Sequence, residues 1–88
     1  VIVGAGATGC EFAAELHDLI VEDLARLYPP TLIATVRISL LELGGRVLGA
    51  FHEQLAAYAM DRFRRDGIRM ELGVQVAEIK RQSDSLAV

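Results

Sequence analysis

The chain has 88 residues, 52% of them hydrophobic and 24% charged, with a net charge of −3. That length sets the scale of one small domain, the apolar share excludes a disordered tail, and the acidic balance gives no electrostatic reason to expect nucleic acid as a partner. A single cysteine, Cys10, excludes an internal disulfide and a CxxC redox pair in this stretch, and no apolar run is long enough to span a bilayer.

The chain opens on Val1-Ile2-Val3, which reads as the middle of a strand, and closes on the apolar Ser85-Leu86-Ala87-Val88. Both ends read as cut, so a fragment of a larger protein is expected, with strands at its edge short of partners. Residues 1–5 open on three β-branched residues and carry no polar side chain, the pattern of a strand buried on both faces. A long helix follows from residue 7 or 8 to 27. Phe12, Leu16, Ile20, Leu24 and Leu27 recur at helical spacing, with Glu15, Asp18, Glu22 and Arg26 facing away. Tyr28-Pro29-Pro30 stops it, because proline lacks the amide hydrogen and clashes with the preceding turn. A loop leads into a second strand over 35–42, carrying Val36, Ile38, Leu40 and Leu41.

Gly44-Gly45 and Gly49 mark the next loop. The second helix is expected over 51–65, with Phe51, Leu55, Ala59 and Phe63 on one stripe, closed by Asp66-Gly67. A third strand covers 68–72, Gly73 allows a turn, and 74–80 reads as another strand. The polar turn Gln82-Ser83-Asp84-Ser85 begins a hairpin. The fold class is therefore α/β: a Rossmann-like βαβαβ parallel sheet followed by the start of an antiparallel β-meander.

Gly4-Ala5-Gly6-Ala7-Thr8-Gly9 matches the G-x-G-x-x-G dinucleotide fingerprint, and it lies between an apolar strand and an amphipathic helix, the context that gives the motif meaning. Gly4 permits the tight turn, Gly6 removes a side chain where a pyrophosphate approaches the backbone, and Gly9 lets the helix pack close to the strand. Amides at the helix start, at Ala7 and Thr8, point at the phosphates. The second element is Glu42, which follows Leu40-Leu41 and so sits at the carboxyl edge of the sheet. There it accepts hydrogen bonds from the adenine ribose hydroxyls and repels a 2′-phosphate, favouring NADH over NADPH. Its distance from the glycines exceeds the usual gap of about 20 residues; the long first helix and the loop after it account for the excess. An ordinary strand-end charge is the other reading. Arg46 stands close enough to accept a 2′-phosphate, but Glu42 terminates the strand and weighs more.

Glu11 lies two residues past the last glycine, in what reads as the first helical turn. It has two readings that spacing does not separate: complementing the helix dipole, worth roughly 0.3–1 kcal/mol, or contacting the nicotinamide end of the cofactor. Cys10 has no histidine beside it and reads as a small packed side chain. His17 and His52 lack metal-ligand spacing, so no metal site is expected. Arg62, Arg64 and Arg65 read as a solvated helix face, with contact to anionic lipid headgroups as the alternative.

The fingerprint continues as Gly4-Ala5-Gly6-Ala7-Thr8-Gly9-Cys10-Glu11-Phe12-Ala13-Ala14-Glu15-Leu16. This string resembles the second nucleotide-binding motif of type II (alternative, non-proton-pumping) NADH dehydrogenases. Asp23-Leu24-Ala25-Arg26-Leu27-Tyr28-Pro29 is similar to that family's insertion after the helix, Val36-Arg37-Ile38-Ser39-Leu40-Leu41-Glu42 to its second strand, and Phe63-Arg64-Arg65-Asp66-Gly67-Ile68 to its next helix-to-strand junction. The resemblance covers nearly the whole chain, and the long insertion is similar to the mitochondrial branch of plants, fungi and protists. Cys10 departs from a commonly aliphatic position, and Gly44-Gly45-Arg46 from a frequent acidic loop, which leaves the preference between NADH and NADPH open.

The resemblance implies a two-dinucleotide-binding-domain flavoprotein in which this part, residues 1–88, holds NADH and another holds FAD. Hydride would pass to the flavin and electrons to a membrane quinone. It implies that Glu11 is the family's acid near the nicotinamide and that Gly4, Gly6, Gly9 and Glu42 hold NADH. It also implies peripheral association with the mitochondrial inner membrane, or the cytoplasmic membrane of a bacterium, and a homodimer, both through regions outside this chain. The alternatives are another flavin reductase, of the ferredoxin or disulfide type, and an NAD-binding module without redox chemistry.

Overall fold

The computed structural model describes residues 1–81. In chain order they form β1 (Ile2–Val3), α1 (Ala7–Asp18), a π-helical segment (Leu19–Leu24), α2 (Ala25–Leu27), α3 (Pro30–Ile33), β2 (Ser39–Glu42), α4 (Glu53–Arg65) and β3 (Arg69–Leu72). The strands make one parallel sheet in the order β1-β2-β3. Ile2 pairs with Leu40 and Leu40 with Met70, so these three share one face; Val3, Leu41 and Glu71 share the other.

The first face carries the core. Leu40 and Ala13 are fully buried, Cys10, Ile20, Ala56, Phe63 and Ile68 pack with them, and Ile2 and Met70 border the cluster. Both long helices therefore bury onto the same face. The opposite face is bare among the described residues, and Val3 is 59% exposed. This corrects the expectation of a first strand buried on both faces: each crossover helix lies on the Leu40 side.

The first helix runs over the expected 7–27, but α-helical bonding gives way to a π-helical stretch over Leu19–Leu24. A chain bonded i→i+5 turns through less angle per residue, so the outer half of the helix is rotated relative to α1. Ile20 is buried, and Leu16 and Leu24 pack against the core. Phe12 and Leu27 are exposed, which corrects their place on the apolar stripe. The reason is spacing. Near its start the helix approaches β1 so closely that the facing positions admit only Cys10 and Ala13; bulkier side chains fit further along, where that constraint ends.

Tyr28 adopts an extended conformation before Pro29, as a residue preceding proline does. The expected loop then contains the short helix α3, with Pro30 in its first turn. A proline suits that position because its missing amide hydrogen has no helical acceptor there. The start of the expected second strand is taken up by the end of α3: Thr35 N–H donates to Leu32 O and Val36 N–H to Ile33 O, so the strand itself begins only at Ser39, just after Ile38 O accepts the Arg69 N–H.

Helix α4 starts at Glu53 rather than residue 51. His52 caps it, its Nδ1 accepting the Gln54 N–H at 3.1 Å, which leaves Phe51 off the helix. Ala56 and Phe63 face the core, while Phe51 and Leu55 are exposed, a corrected stripe. Gly67, at φ +77°, closes the helix and turns the chain into β3. Beyond β3, Gly73 N–H donates to Gly44 O and Val74 N–H to Glu42 O. Among the described residues 75–81 join no strand, so the strand expected over 74–80 is not formed; the chain leaves the sheet after the Val74 bond to Glu42 O. The expected hairpin turn over 82–85 lies outside the described residues.

Candidate functional site

The glycine-rich turn joins β1 to α1 at the carboxyl edge of the sheet. Gly4 sits at φ +99°, a region closed to most side chains, and its N–H donates to Leu41 O at 2.7 Å, carrying the ladder one residue past β1. Gly6 is the N-cap of α1 and has no side chain to cap the helix. A Cβ built on Gly6 would meet nothing within 4 Å, whereas one on Gly9 would collide with the Gly4 carbonyl oxygen and lie 3.1 Å from its carbon. One glycine thus leaves open space toward a ligand, and the other allows the helix to touch the strand. The first amides of an α-helix, here at Ala7, Thr8 and Gly9, have no acceptor within it and form a ready anion site. An open trough of ≈ 480 Å³ runs along this turn, bordered on its far side by Ile2, Val3 and Phe12.

Glu42 ends β2 beside the turn, and both carboxylate oxygens are engaged. Ala5 N–H donates to Oε1 at 2.7 Å, and Gly44 N–H donates to Oε2 at 2.8 Å. The amides of Gly44, Ala5 and Leu43 hold the carboxyl below its ordinary range, outweighing a small opposing effect of burial. A carboxylate has about four acceptor positions; two are used, leaving two for a diol. Gly44 is a partner the sequence reading passed over as loop. A Cβ there would lie 3.2 Å from Oε2, so the doubled glycine after a strand-end acid was the available signal.

Glu11 is the fifth residue of α1 and lies past its first turn, which corrects its expected first-turn placement and removes the support for the dipole reading, one of the two it had. It is exposed and borders an apolar notch of ≈ 370 Å³ with Cys10, Leu48, Phe51 and Leu55. Cys10 is buried, its Sγ donates to Ala5 O at 3.4 Å, and burial pushes its thiol above the ordinary range, as suits a packed residue. His17 faces Asp66 at 3.7 Å, and Arg62 reaches the same carboxylate at 3.3 Å. Arg65 pairs with Asp61, and the arginine face of α4 is solvated. Arg46 turns back on its own loop, donating to Gly49 O at 3.3 Å and Phe51 O at 3.0 Å. Among the described residues no cluster of three or more His, Cys, Asp or Glu side chains is arranged to hold a metal, and no helix is long and apolar enough to cross a membrane.

The profile of the pyridine nucleotide-disulphide oxidoreductase family matches residues 1–88. The chain is 44% identical over 79 residues to the mitochondrial external alternative NAD(P)H-ubiquinone oxidoreductase B1 of Arabidopsis thaliana, covering 90% of the chain and 14% of that protein. It is 40% identical over 80 residues to the mitochondrial external NADH-ubiquinone oxidoreductase 2 of Saccharomyces cerevisiae, covering 91% and 14%. Among solved structures, NDH2 from Plasmodium falciparum in complex with NADH superposes with a TM-score of 0.82 at 24% identity, covering 89% of the chain and 16% of that structure. A ferredoxin reductase from Rhodopseudomonas palustris gives 0.69 at 29% identity, covering 93% and 17%. The chain therefore spans about one seventh of the length of the relatives it matches.

Proposed function

The chain belongs to the pyridine nucleotide-disulphide oxidoreductase family, and from that membership we propose that it is the NADH-binding part of a type II, flavin-dependent NADH:quinone oxidoreductase. The observation that carries the reading is Glu42, held by the amides of Ala5 and Gly44 beside an uncapped helix N-terminus. An anion site and a diol acceptor side by side match a pyrophosphate and an adenine ribose. The names of the relatives from Arabidopsis and yeast support the quinone as the final acceptor.

The roles divide along the turn. The amides of Ala7, Thr8 and Gly9 hold the pyrophosphate, and Gly6 keeps the approach clear. Glu42 accepts the ribose hydroxyls and repels a 2′-phosphate. The trough along Ile2, Val3 and Phe12 keeps that side of the turn open. Glu11, one helical turn beyond Ala7, orients the nicotinamide end. FAD, bound by residues outside this chain, supplies the hydride acceptor that passes electrons on to quinone. We place the whole protein on the mitochondrial inner membrane as a peripheral homodimer, anchored and paired through regions outside residues 1–88.

The test is made on the full-length protein loaded with FAD, following NADH and NADPH oxidation with a short-chain quinone. Rapid NADH-dependent quinone reduction supports the proposal. A flavoprotein that oxidises NADH, ignores quinone and reduces a ferredoxin moves it to the reductase type of the bacterial structural neighbour. Replacing Glu42→Ala is expected to raise the KM for NADH about tenfold, the scale of one or two charge-assisted hydrogen bonds, and to narrow the gap to NADPH. An unchanged cofactor preference removes Glu42 from ribose recognition.

A further inference from the structure

We propose that Leu48 is a positioning residue for the pyrophosphate turn, acting through its left-handed backbone, and that Arg46 secures the loop that carries it. The inference rests on the NADH-binding reading above and concerns how the turn is held in shape.

Leu48 sits at φ 52° and is the one non-glycine residue with positive φ among those described. A Cβ disfavours this region, so the surroundings must hold it there. They do so from three sides. The side chain is buried next to Val47, which is fully buried. The carbonyl accepts the Phe51 N–H at 2.9 Å. The N–H donates to Ala5 O at 2.7 Å. Arg46 then ties the far end of the loop through the Gly49 and Phe51 carbonyls.

The contact with Ala5 O matters because of peptide geometry. In a planar trans peptide the carbonyl and the next amide hydrogen point in opposite directions. Fixing Ala5 C=O inward, on Leu48, therefore aims the Gly6 N–H away from the Leu48 loop. On the other side of Ala5, Glu42 holds the Ala5 N–H. The two peptide planes flanking Ala5 are thus set by the last residue of β2 and by the loop after it, before any ligand arrives. In this arrangement the Arg46 guanidinium is engaged by loop carbonyls, which ties it to the turn.

The experiment uses the full-length flavoprotein and measures NADH affinity and the flavin reduction rate by stopped flow. Leu48→Val keeps most of the apolar volume but resists positive φ; Leu48→Gly loses the volume and accepts it. Leu48→Val is expected to weaken NADH binding about tenfold, with a smaller fall in the saturated reduction rate, the scale set by the cost of a left-handed residue. Leu48→Gly is expected to bind NADH more tightly than Leu48→Val. A Leu48→Val protein with native affinity, or a Leu48→Gly protein that binds more weakly than it, reduces Leu48 to core packing and overturns the proposal. If Leu48→Val does not retain FAD, Arg46→Ala decides. Equal loss of affinity for NADH and NADPH supports a positioning loop, while no loss, or loss confined to NADPH, overturns it. A wild-type protein that binds no NADH overturns the underlying reading instead.

Discussion

At Glu42 a single carboxylate joins the strand end, the glycine turn and the following loop. Because three backbone amides favour its charged form, its folded-state pKa is lowered. The sign follows: a depressed carboxyl contributes stability above its unfolded value of about 4.5 and loses it as pH falls through the lower folded value. Glu42→Gln places an amide donor against one of the two backbone N–H groups. In thermal unfolding of the full-length protein, the wild type is therefore expected to exceed this variant at neutral pH. The gap closes only below about pH 4.5. A gap that closes between pH 7 and 6 would show that the amides do not stabilise the carboxylate.

The same scale explains why Glu42 was legible from sequence while its partners were not. A lone acid after an apolar run announces a strand end. Ala5 and Gly44 act through backbone amides, which carry no residue identity. Leu48 is the extreme case, since its backbone conformation is imposed by the fold and runs against its own preference.

Among the elements, the contact of α1 with β1 decides most. It needs Gly9, because any Cβ there meets the Gly4 carbonyl. Gly9→Ala is expected to destabilise the full-length protein by about 1–3 kcal/mol, the usual range for overpacking. Gly6→Ala is expected to leave the unfolding midpoint unmoved and to weaken NADH binding, because its Cβ meets no protein atom and enters the ligand's space. Comparing the two variants by calorimetry and NADH titration checks both; the reverse pattern would exchange the roles of the glycines. The close contact also explains why the apolar stripe of the helix was misread at Phe12: periodicity finds large side chains, and here the buried positions hold Cys10 and Ala13. The π-helical stretch has no sequence signature, and α3 was hidden because Pro29-Pro30 reads first as a stop.

At the scale of the molecule, one sheet face is covered and the other is bare among the described residues. Val1 is 87% exposed, Val3 59% and Phe12 55%, beside β1, which is an edge strand among the described residues. Exposed apolar surface and an open parallel edge favour association. The isolated 88-residue chain is expected to self-associate and to reduce no quinone, since the proposed function gives the described residues the NADH site and leaves the flavin to other parts of the protein. Light scattering alongside a quinone assay tests this. A monomer at high concentration would contradict the first part, and measurable turnover the second.

Residue order alone determined the alternation of strands and helices, the glycine turn between β1 and α1, and the acid at the end of β2. Each is a local matter: steric demands at glycine, apolar periodicity and a charge at a strand end act over a few residues. Tertiary structure decided which face each helix buries, where the first helix changes its winding, that 75–80 joins no strand among the described residues, and that Leu48 adopts a left-handed backbone against Ala5. Those depend on what packs against what, and a contact between residues far apart in the chain leaves no trace in the spacing of either one.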